Sequence, residues 1–165
     1  MGKSYSLTPL FFALCTLHYI IMQIVNKKAK FNYNLFERIE AGISLLGAEA
    51  KAVRGGHVNL SDSFAKIIDR EIYLVNANIP VEGKKDYSST RTRKLLLHKD
   101  QIISIQTKIK QKRLTLVPTK IYTKGNLAKI ELALAKSKRK FEKKESIKKK
   151  DIQREMEQEL REKLK

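Results

Sequence analysis

Alternation of apolar and polar residues dominates the middle of the chain and predicts that it is built mainly from β-strands. A strand-like run passes through Ile43 and Leu45 and ends at Gly47. Residues 63–79 and 113–135 each contain two arms rich in β-branched and aromatic residues. Polar turn residues separate the arms, Asp69-Arg70 in one case and Lys124-Gly125-Asn126 in the other, which predicts two β-hairpins. The clearest alternation is in the last arm, with Ile130, Leu132 and Leu134 on one face and Lys129 and Glu131 on the other.

Two short stretches are helical in character. Residues 48–54 are rich in alanine and precede the Gly55-Gly56 pair, which is typical of a helix C-terminus. After Asp100, which can cap a helix, isoleucines recur at helical spacing at positions 102, 105 and 109. Pro118 predicts an edge position or a bulge in its strand. Short strands with two small helices, and no regular alternation of strand and helix, predict a compact antiparallel β-barrel.

Composition divides the chain into an apolar N-terminal extension, residues 1–25; a body, residues 26–135; and a basic tail, residues 136–165. The extension carries no formal charge between Ser4 and Val25, and its length is close to the roughly 20 apolar residues that a membrane span needs. Polar residues interrupt it, so it is a poor span, and we expect no membrane partner. Either it is an anchor or targeting segment, or translation starts at Met22.

The tail has its own composition. Residues 136–150 contain nine basic and two acidic residues, and the whole tail lacks glycine and proline. Helix formers dominate, yet the apolar residues Ile152, Met156, Leu160 and Leu164 form only a thin stripe. Such a stripe is too narrow to hold a helix on a globular core. We therefore predict a tail that is disordered or helical, and that becomes helical on the surface of a partner.

The overall charge points to a polyanionic partner. The chain contains 35 Lys and Arg residues against 17 Asp and Glu residues, a formal net charge of +18 at pH 7. An excess of this size attracts nucleic acid in the first place and an anionic membrane surface in the second.

The sequence does not support enzymatic or metal chemistry. Cys15 is the only cysteine and the three histidines are scattered, so we expect no disulfide, metal site or cofactor, and a reducing, cytoplasmic location. The chain has no Gly-rich phosphate loop, GxSxG elbow or HExxH motif. The carboxylates of Glu37, Glu40, Glu49 and Asp62 do not have the spacing of a metal-dependent nuclease. We predict that the protein is not an enzyme.

Three basic segments are candidates for RNA contact: Asn26-Lys27-Lys28-Ala29-Lys30, Arg91-Thr92-Arg93-Lys94 and the tail. Each lies at an edge of the body with few acidic residues to balance it. In TRTRKLLLHKDQ, residues 90–101, we expect the three leucines to pack the segment onto the barrel. Arg91, Arg93 and Lys94 would then present their charge to RNA, because the planar guanidinium suits phosphate. The lysines at positions 108, 110 and 112 fit a solvated face equally well.

An ordered series of motifs resembles the small protein B family from about Asn26 to the C-terminus. The series comprises Asn26-Lys27-Lys28-Ala29-Lys30, Glu40-Ala41-Gly42, Gly47-x-Glu49-x-Lys51-x-x-Arg54-x-Gly56, Asn59-Leu60-x-Asp62-Ser63, Arg91-Thr92-Arg93-Lys94-Leu95-Leu96-Leu97-His98, Leu116-Val117-Pro118 and Lys129-x-Glu131-Leu132-Ala133-Leu134-Ala135-Lys136. One of these motifs alone means little, but seven in order are highly specific.

The resemblance implies an oligonucleotide-binding-like antiparallel barrel with a basic, flexible tail. Members of this family bind the tRNA-like domain of tmRNA, the SsrA RNA of trans-translation. The complex of the protein with tmRNA then enters the vacant A site of a stalled ribosome together with elongation factor Tu. There the protein takes the place of the codon–anticodon duplex, next to the 16S rRNA of the decoding centre, and its tail becomes helical in the empty mRNA channel.

Matched motif by motif, the resemblance implies two sets of contact residues. Those at the tmRNA contact are Glu40, Leu96 and His98, and we add the basic segments as RNA-binding: Asn26, Lys27, Lys28, Lys30, Arg91, Arg93 and Lys94. Those of the ribosome-contacting tail are Lys136, Lys138, Arg139, Glu142, Lys143, Lys144, Ile147 and Lys148. Two alternatives remain: Glu40 only forms a salt bridge with a nearby lysine, and Leu96 lies in the core.

The chain also departs from the family pattern. Phe31 occupies a position where many relatives have histidine, so an imidazole contact in the decoding centre cannot be carried over; stacking on an rRNA base and core packing are the alternatives. Ser137 replaces a usual glycine, and Ala48 and Ala50 replace larger residues. The rival interpretation is a general basic rRNA-binding or ribosome-assembly protein. In both cases we expect a monomer.

Overall fold

The computed structural model describes residues 22–81, 83, 87–125 and 127–163. Within them the strands are β1 (Gln23–Val25), β2 (Tyr33–Ile43), β3 (Phe64–Ile68), β4 (Glu71–Val75), β5 (Arg93–Leu96), β6 (Thr115–Lys124) and β7 (Leu127–Ser137). The helices are α1 (Lys27–Asn32), α2 (Gly47–Arg54), α3 (Lys99–Lys112) and α4 (Lys140–Lys163). The predictions for residues 1–21 and for Asn126 lie outside the described residues.

The strands form one antiparallel sheet that closes on itself. Its order is β1-β6-β3-β4-β5-β2-β7, and an additional pairing of β6 with β7 joins six of these strands into a ring. The long strand β6 pairs with β7 along one side, and with β1 and β3 along the other. Both predicted hairpins, β3–β4 and β6–β7, are present. The predicted mainly-β class with small helices and a closed antiparallel sheet is confirmed.

The core lies inside this ring and under the helices. Alternation along the strands points one face of each strand inward, and the side chains of Ile72, Leu74, Ile130 and Leu132 are all 0% exposed. Val53 of α2 and Ile102 and Ile105 of α3 belong to the same buried cluster. Helices α2 and α3 therefore use their apolar residues to cover parts of the ring.

Pro118 lies at the irregularity that its chemistry predicts. The register between β6 and β7 shifts between Pro118 and Lys120. Proline has no N–H to donate to a neighbouring strand, so it is tolerated where the ladder of hydrogen bonds is interrupted. The register shift agrees with a bulge, one of the two alternatives predicted for Pro118.

The two predicted small helices are present, but the cap of α3 is not the one expected. The N-cap residue is His98, whose backbone N–H donates to Oε1 of Gln101 at 3.2 Å. Asp100 lies in the first turn instead, where its charge favours the positive end of the helix dipole. The helix thus begins at Lys99, one residue before Asp100, because the Gln101 side chain accepts the backbone N–H of His98.

Helix α1 was not predicted from the sequence. Asn26 is its N-cap, and its side-chain oxygen accepts the backbone N–H of Ala29 at 3.0 Å. The helix is only six residues long and buries one of them, Ala29. So short a helix leaves no periodic apolar pattern along the chain.

The tail forms helix α4, which is one of its two predicted states. It is joined to the body just before the helix, where the Lys138 backbone N–H donates to the Asn32 carbonyl at 2.9 Å. The described residues of the apolar stripe, Ile152, Met156 and Leu160, are 43%, 56% and 61% exposed, and Leu164 lies outside the described residues. No helix in the described part of the chain is long and apolar enough to cross a membrane.

Candidate RNA interface

The Arg91–Lys94 segment is built around a buried carboxylate. Glu49 of α2 is 0% exposed and accepts two hydrogen bonds from Arg91, from Nε at 2.7 Å and from Nη2 at 2.6 Å. The Tyr87 hydroxyl donates to the same carboxylate at 2.6 Å, and the Leu46 backbone N–H does so at 2.7 Å. This carboxylate therefore ties the loop before β5 to the start of α2.

Arg93 belongs to the same network, and its side chain is completely buried. Its Nε donates to Glu49 at 3.0 Å, and its two other nitrogens donate to Tyr87 and to the carbonyls of Ala77, Ser89 and Arg91. The expectation that Arg93 presents charge to RNA is wrong, since its guanidinium is 0% exposed. Arg91 is 34% exposed but also bound to Glu49, so it offers RNA only part of its side chain.

The ionisation of Glu49 shows how strongly this network holds. Burial alone would raise the pKa of Glu49, whereas the hydrogen bonds from Arg91 and Tyr87 lower it. Together with the Leu46 N–H and the charge of Arg93, they lower its pKa to about 2. The carboxylate is thus a charged structural group at neutral pH.

Asn26 is also structural. It is 4% exposed, and its amide nitrogen donates to the carbonyls of Leu60 at 2.6 Å and Pro118 at 3.0 Å. Its side-chain oxygen and nitrogen are thus occupied by α1, the loop at Leu60 and strand β6, and its expected contact with RNA stays a prediction. Lys27, Lys28 and Lys30 of α1 are exposed, and Lys28 lies 3.4 Å from Asp62.

Alternation along β5 decides which residues of its segment face outward. Arg93 and Leu95 point into the protein, whereas Lys94 and Leu96 are exposed, and His98 beyond the strand is exposed as well. The expectation that three leucines pack onto the barrel is wrong for Leu96, which is 55% exposed. Its alternative location in the core is excluded for the same reason. Lys94 forms an ion pair with Glu71 of β4 at the surface.

Glu40 of β2 lies on the outer face of the sheet and is held by two partners from neighbouring strands. Lys129 of β7 and the hydroxyl of Tyr122 in β6 each donate to one of its carboxylate oxygens. These two hydrogen bonds, that of Lys129 first, lower the pKa of Glu40. Burial and the hydrogen bond to Glu40 raise the pKa of Tyr122 to about 12, so its hydroxyl remains a donor.

The pairing register of β2 with β5 and β7 places Glu40 and its two partners next to Leu96. Gly42 of β2 is paired with Leu96 on one side and with Lys129 on the other. A Cβ on Gly42 would lie 3.3 Å from the Cβ of Leu96, so the glycine makes room for the leucine on the outer face. We refer to Glu40, Gly42, Leu96, Tyr122 and Lys129 as the Glu40 patch.

Tyr122 and Lys129 were not predicted as site residues. The alternation of β7 does indicate that Lys129 faces away from the core, but no local signal connects it with Glu40, which lies 89 residues away. Only the pairing of β2 with β7 and of β7 with β6 reveals the patch.

A second exposed region joins α1 to the tail. The Lys138 side chain donates to the Lys30 carbonyl at 3.1 Å, so two basic segments 108 residues apart meet at one end of the molecule. Of the predicted tail residues, Lys138 and Lys143 are partly buried and the others are exposed: Lys136, Arg139, Glu142, Lys144, Ile147 and Lys148. The Arg139 backbone N–H donates to the Glu142 carboxylate at 2.8 Å at the start of α4.

Among the residues that the structure describes, no group of three His, Cys, Asp or Glu side chains is placed to hold a metal ion. Glu40 and Glu49, two of the carboxylates considered for a nuclease, are instead engaged by lysine, tyrosine and arginine partners. A closed antiparallel sheet with a cationic exterior and a basic helical tail defines the class of small basic nucleic-acid-binding proteins.

Comparison with known proteins identifies the family within that class. The model of the SmpB protein family matches residues 23–162, and the chain belongs to this family. It is 48% identical to an SsrA-binding protein of Sulfurihydrogenibium sp. (strain YO3AOP1). The 143 aligned residues cover 85% of this chain and 94% of that protein. An SsrA-binding protein of Malacoplasma penetrans (strain HF-2) is 46% identical, over 84% of this chain and 97% of its own length.

A solved structure is similar as well. It is described as "tmRNA-SmpB: a journey to the center of the bacterial ribosome", and its chain is 41% identical to this one with a TM-score of 0.61. The match covers 76% of this chain and 94% of that one.

Proposed function

We propose that the protein binds the tRNA-like domain of tmRNA and works in trans-translation, where it rescues stalled ribosomes and allows the nascent peptide to be tagged for proteolysis. Family membership and relatives named SsrA-binding proteins support this proposal. In this proposal it acts as a binding protein without catalysis, enters the ribosome with alanyl-tmRNA and elongation factor Tu, and works in the cytoplasm, where ribosomes are.

The Glu40 patch is the observation that carries the proposal. Two donors hold the Glu40 carboxylate in place, so its remaining acceptor positions suit the N–H and hydroxyl donors of bases and riboses. The nearby Lys124 is exposed and favours phosphate, and the exposed Leu96 offers an apolar contact to a base or sugar. A surface with all three properties recognises a folded RNA rather than charge alone. In this proposal His98 completes the contact.

The basic segments have divided roles in this proposal. Lys27, Lys28, Lys30 and Lys94 contact phosphates, because their side chains are exposed. Arg93 holds residues 91–98 in position from inside the protein, through its hydrogen bonds in the network around Glu49. Phe31 on α1 is 41% exposed, which supports stacking on an rRNA base rather than core packing.

The tail supplies the ribosomal contacts in the same proposal. It follows the 16S rRNA from the decoding centre into the empty mRNA channel, with Lys136, Lys138, Arg139, Glu142, Lys143, Lys144, Ile147 and Lys148 as contact residues. Its exposed lysines suit phosphate. Its apolar stripe is exposed, so within the described part of the chain no other element covers it.

Competitive binding tests the proposal against the general rRNA-binding alternative, which rests on the net charge of +18. The full chain is titrated with the tRNA-like domain of tmRNA and with an elongator tRNA across a series of salt concentrations. We expect a preference for the tRNA-like domain that survives added salt, because recognition in the Glu40 patch is not purely electrostatic. Equal affinities that fall together with salt would favour the alternative.

Two variants sharpen this experiment. Lys129→Gln removes a donor and a charge from the Glu40 patch, and we expect it to reduce the preference for the tRNA-like domain. Lys66→Gln is the matched control, since Lys66 is exposed on β3 and outside the patch. It should lower the affinity for both RNAs by the same small factor.

A further inference from the structure

A cleft on the molecule lies outside the Glu40 patch and has the properties of a nucleotide site. Its volume is about 360 Å³, and it opens where β2 meets the end of α3 and the last part of β7. The lining residues are Phe36, Glu37, Lys108, Lys112, Leu114, Leu134 and Lys136. Pockets of this size accommodate small organic ligands or a part of a larger one.

A β-bulge creates the cleft. Leu35 pairs with Ala135 and Arg38 with Ala133, so Phe36 and Glu37 of β2 together face the single residue Leu134 of β7. A bulge of this kind redirects side chains away from the regular alternation. It leaves Glu37 exposed at a position where regular alternation between Leu35 and Ile39 would point inward. Phe36 occupies an outward position of β2 and is 57% exposed, although it is a large aromatic residue.

The charges around Phe36 are arranged unevenly. The Lys108 ammonium group lies 2.7 and 2.9 Å from the two carboxylate oxygens of Glu37, so these two residues neutralise each other. For Lys112 and Lys136 the described residues supply no carboxylate partner, and both side chains are exposed. The cleft therefore has one neutralised side and two available cations.

We infer that this cleft binds an unpaired nucleotide of RNA, with the base stacked on Phe36 and the phosphate held by Lys112 and Lys136. An exposed aromatic ring beside cations is the arrangement with which proteins hold single-stranded nucleic acid. Leu114 and Leu134 supply an apolar wall for the base. The Glu37 carboxylate keeps acceptor positions besides its contacts with Lys108 and accepts hydrogen bonds from amino groups, so the site favours bases that carry one.

The surrounding lysines favour RNA over a protein occupant. An apolar side chain of a protein partner would bury the ammonium groups of Lys112 and Lys136 without compensation, which is unfavourable. A phosphate compensates both. The cleft is also lined by Lys136, the first residue of the tail, so an RNA strand bound here continues along the basic tail. The inference rests on the proposed RNA-binding function, but it does not depend on recognition of the tRNA-like domain.

The test uses the full chain and a short single-stranded RNA that carries one 2-aminopurine, a fluorescent base with an amino group whose emission falls when it stacks. We expect Phe36→Ala to remove the fall in emission and to weaken binding by about 5- to 150-fold, the equivalent of 1–3 kcal/mol of stacking on an aromatic side chain. The double variant K112E/K136E should weaken binding and flatten its salt dependence.

Matched controls separate the cleft from the overall charge. Phe64→Ala removes an aromatic side chain of 40% exposure on β3. K99E/K110E changes the charge of the protein as much as K112E/K136E does, at exposed residues of α3 that do not line the cleft. Phe64→Ala should leave emission and affinity as in the unmodified protein. K99E/K110E should lower affinity less than K112E/K136E and keep the fall in emission.

Three results would overturn the inference. The fall in emission could persist in Phe36→Ala, Phe64→Ala could have the same effect as Phe36→Ala, or the two lysine pairs could lower the affinity equally. It would also fail if Phe36→Ala abolished self-association in sedimentation while RNA binding stayed the same, because the cleft would then be a contact between copies of the chain. The tRNA-like domain is titrated in parallel. Failure of the unmodified protein to prefer it would contradict the proposed function and leave the result for the cleft standing.

Discussion

Leu95 and Leu96 are adjacent in sequence, yet they have opposite environments. Leu95 is 2% exposed in the core of the ring, whereas Leu96 is 55% exposed above Gly42. We expect Leu95→Ala to lower the free energy of unfolding by about 2–5 kcal/mol, because it leaves a cavity. Leu96→Ala should change that free energy by less than about 0.5 kcal/mol, but it should weaken binding to the tRNA-like domain of tmRNA. Urea denaturation and RNA titration of both variants measure the two effects.

Glu49 links the stability of the fold to pH. Its folded pKa of about 2 lies below the ordinary value of 4.5, so its stabilising charge is complete above pH 4.5 and is lost as the pH falls towards 2. Glu49→Gln should lower the free energy of unfolding at pH 7 by about 3–5 kcal/mol, since it leaves the buried guanidinium of Arg93 without its counter-charge. The difference between variant and unmodified protein should shrink between pH 4.5 and pH 2.

Urea denaturation at successive pH values measures this difference. Glu145→Gln on the exposed tail is the control, because its ion pair with Lys149 lies at the surface. It should leave the transition unchanged at every pH. A Glu49→Gln variant as stable as the unmodified protein at pH 7 would show that the network does not support the fold.

Among the elements, the β3–β4 hairpin has a turn that one of its two central residues, Arg70, does not favour. Asp69 and Arg70 adopt φ angles of 47° and 62°, which is the left-handed region required at both central positions of a tight type I′ turn. Glycine accepts this conformation without the steric cost that arginine has. Arg70→Gly should therefore raise the free energy of unfolding by about 0.5–1 kcal/mol. Thermal and urea denaturation measure the change.

The β6–β7 hairpin supplies the reverse experiment. Gly125 has a φ of 67°, so Gly125→Ala introduces a Cβ where Arg70→Gly removes one. We expect it to lower the free energy of unfolding by about 1 kcal/mol. If both substitutions changed stability in the same direction, backbone conformation would not be the cause.

At the scale of the whole molecule, the tail separates from the body in structure and in charge. The last thirty residues contain thirteen basic and seven acidic residues, which leaves a net charge of +12 in residues 1–135. Strand β7 ends at Ser137 and Lys138 contacts α1, so truncation after Arg139 preserves the closed sheet and its link to α1. The truncated protein should unfold at the same urea concentration as the full chain.

The same truncation tests the division of labour in the proposed function. The preference for the tRNA-like domain over an elongator tRNA should remain, since the Glu40 patch is intact, while peptide tagging in a reconstituted translation system should be lost. Truncation after Glu155, which keeps all the proposed contact residues of the tail, is the control. Tagging by the shorter protein would refute the role of the tail.

Local pattern in the sequence determined most of the fold. Strand alternation, turn residues and helical spacing depend on residues close together in the chain, so both hairpins, α2, α3 and the bulge at Pro118 were predictable. The motif series, which spans most of the chain, indicated the family for a different reason: it records the order of many short segments. Helix α1 escaped because six residues with one buried alanine leave no period to detect.

The tertiary structure alone decided which charged residues are available to RNA. Arg93 and Lys94 are neighbours, but Arg93 lies on the inward face of β5 and meets Glu49, which is 44 residues away. Glu40 meets Lys129 only because β2 pairs with β7, and Phe36 shares a cleft with Lys112 and Lys136 only because the end of α3 and the last part of β7 lie beside β2. The environment of a side chain depends on the strands and helices that the closed ring places around it, and that information is not contained in any local stretch of sequence.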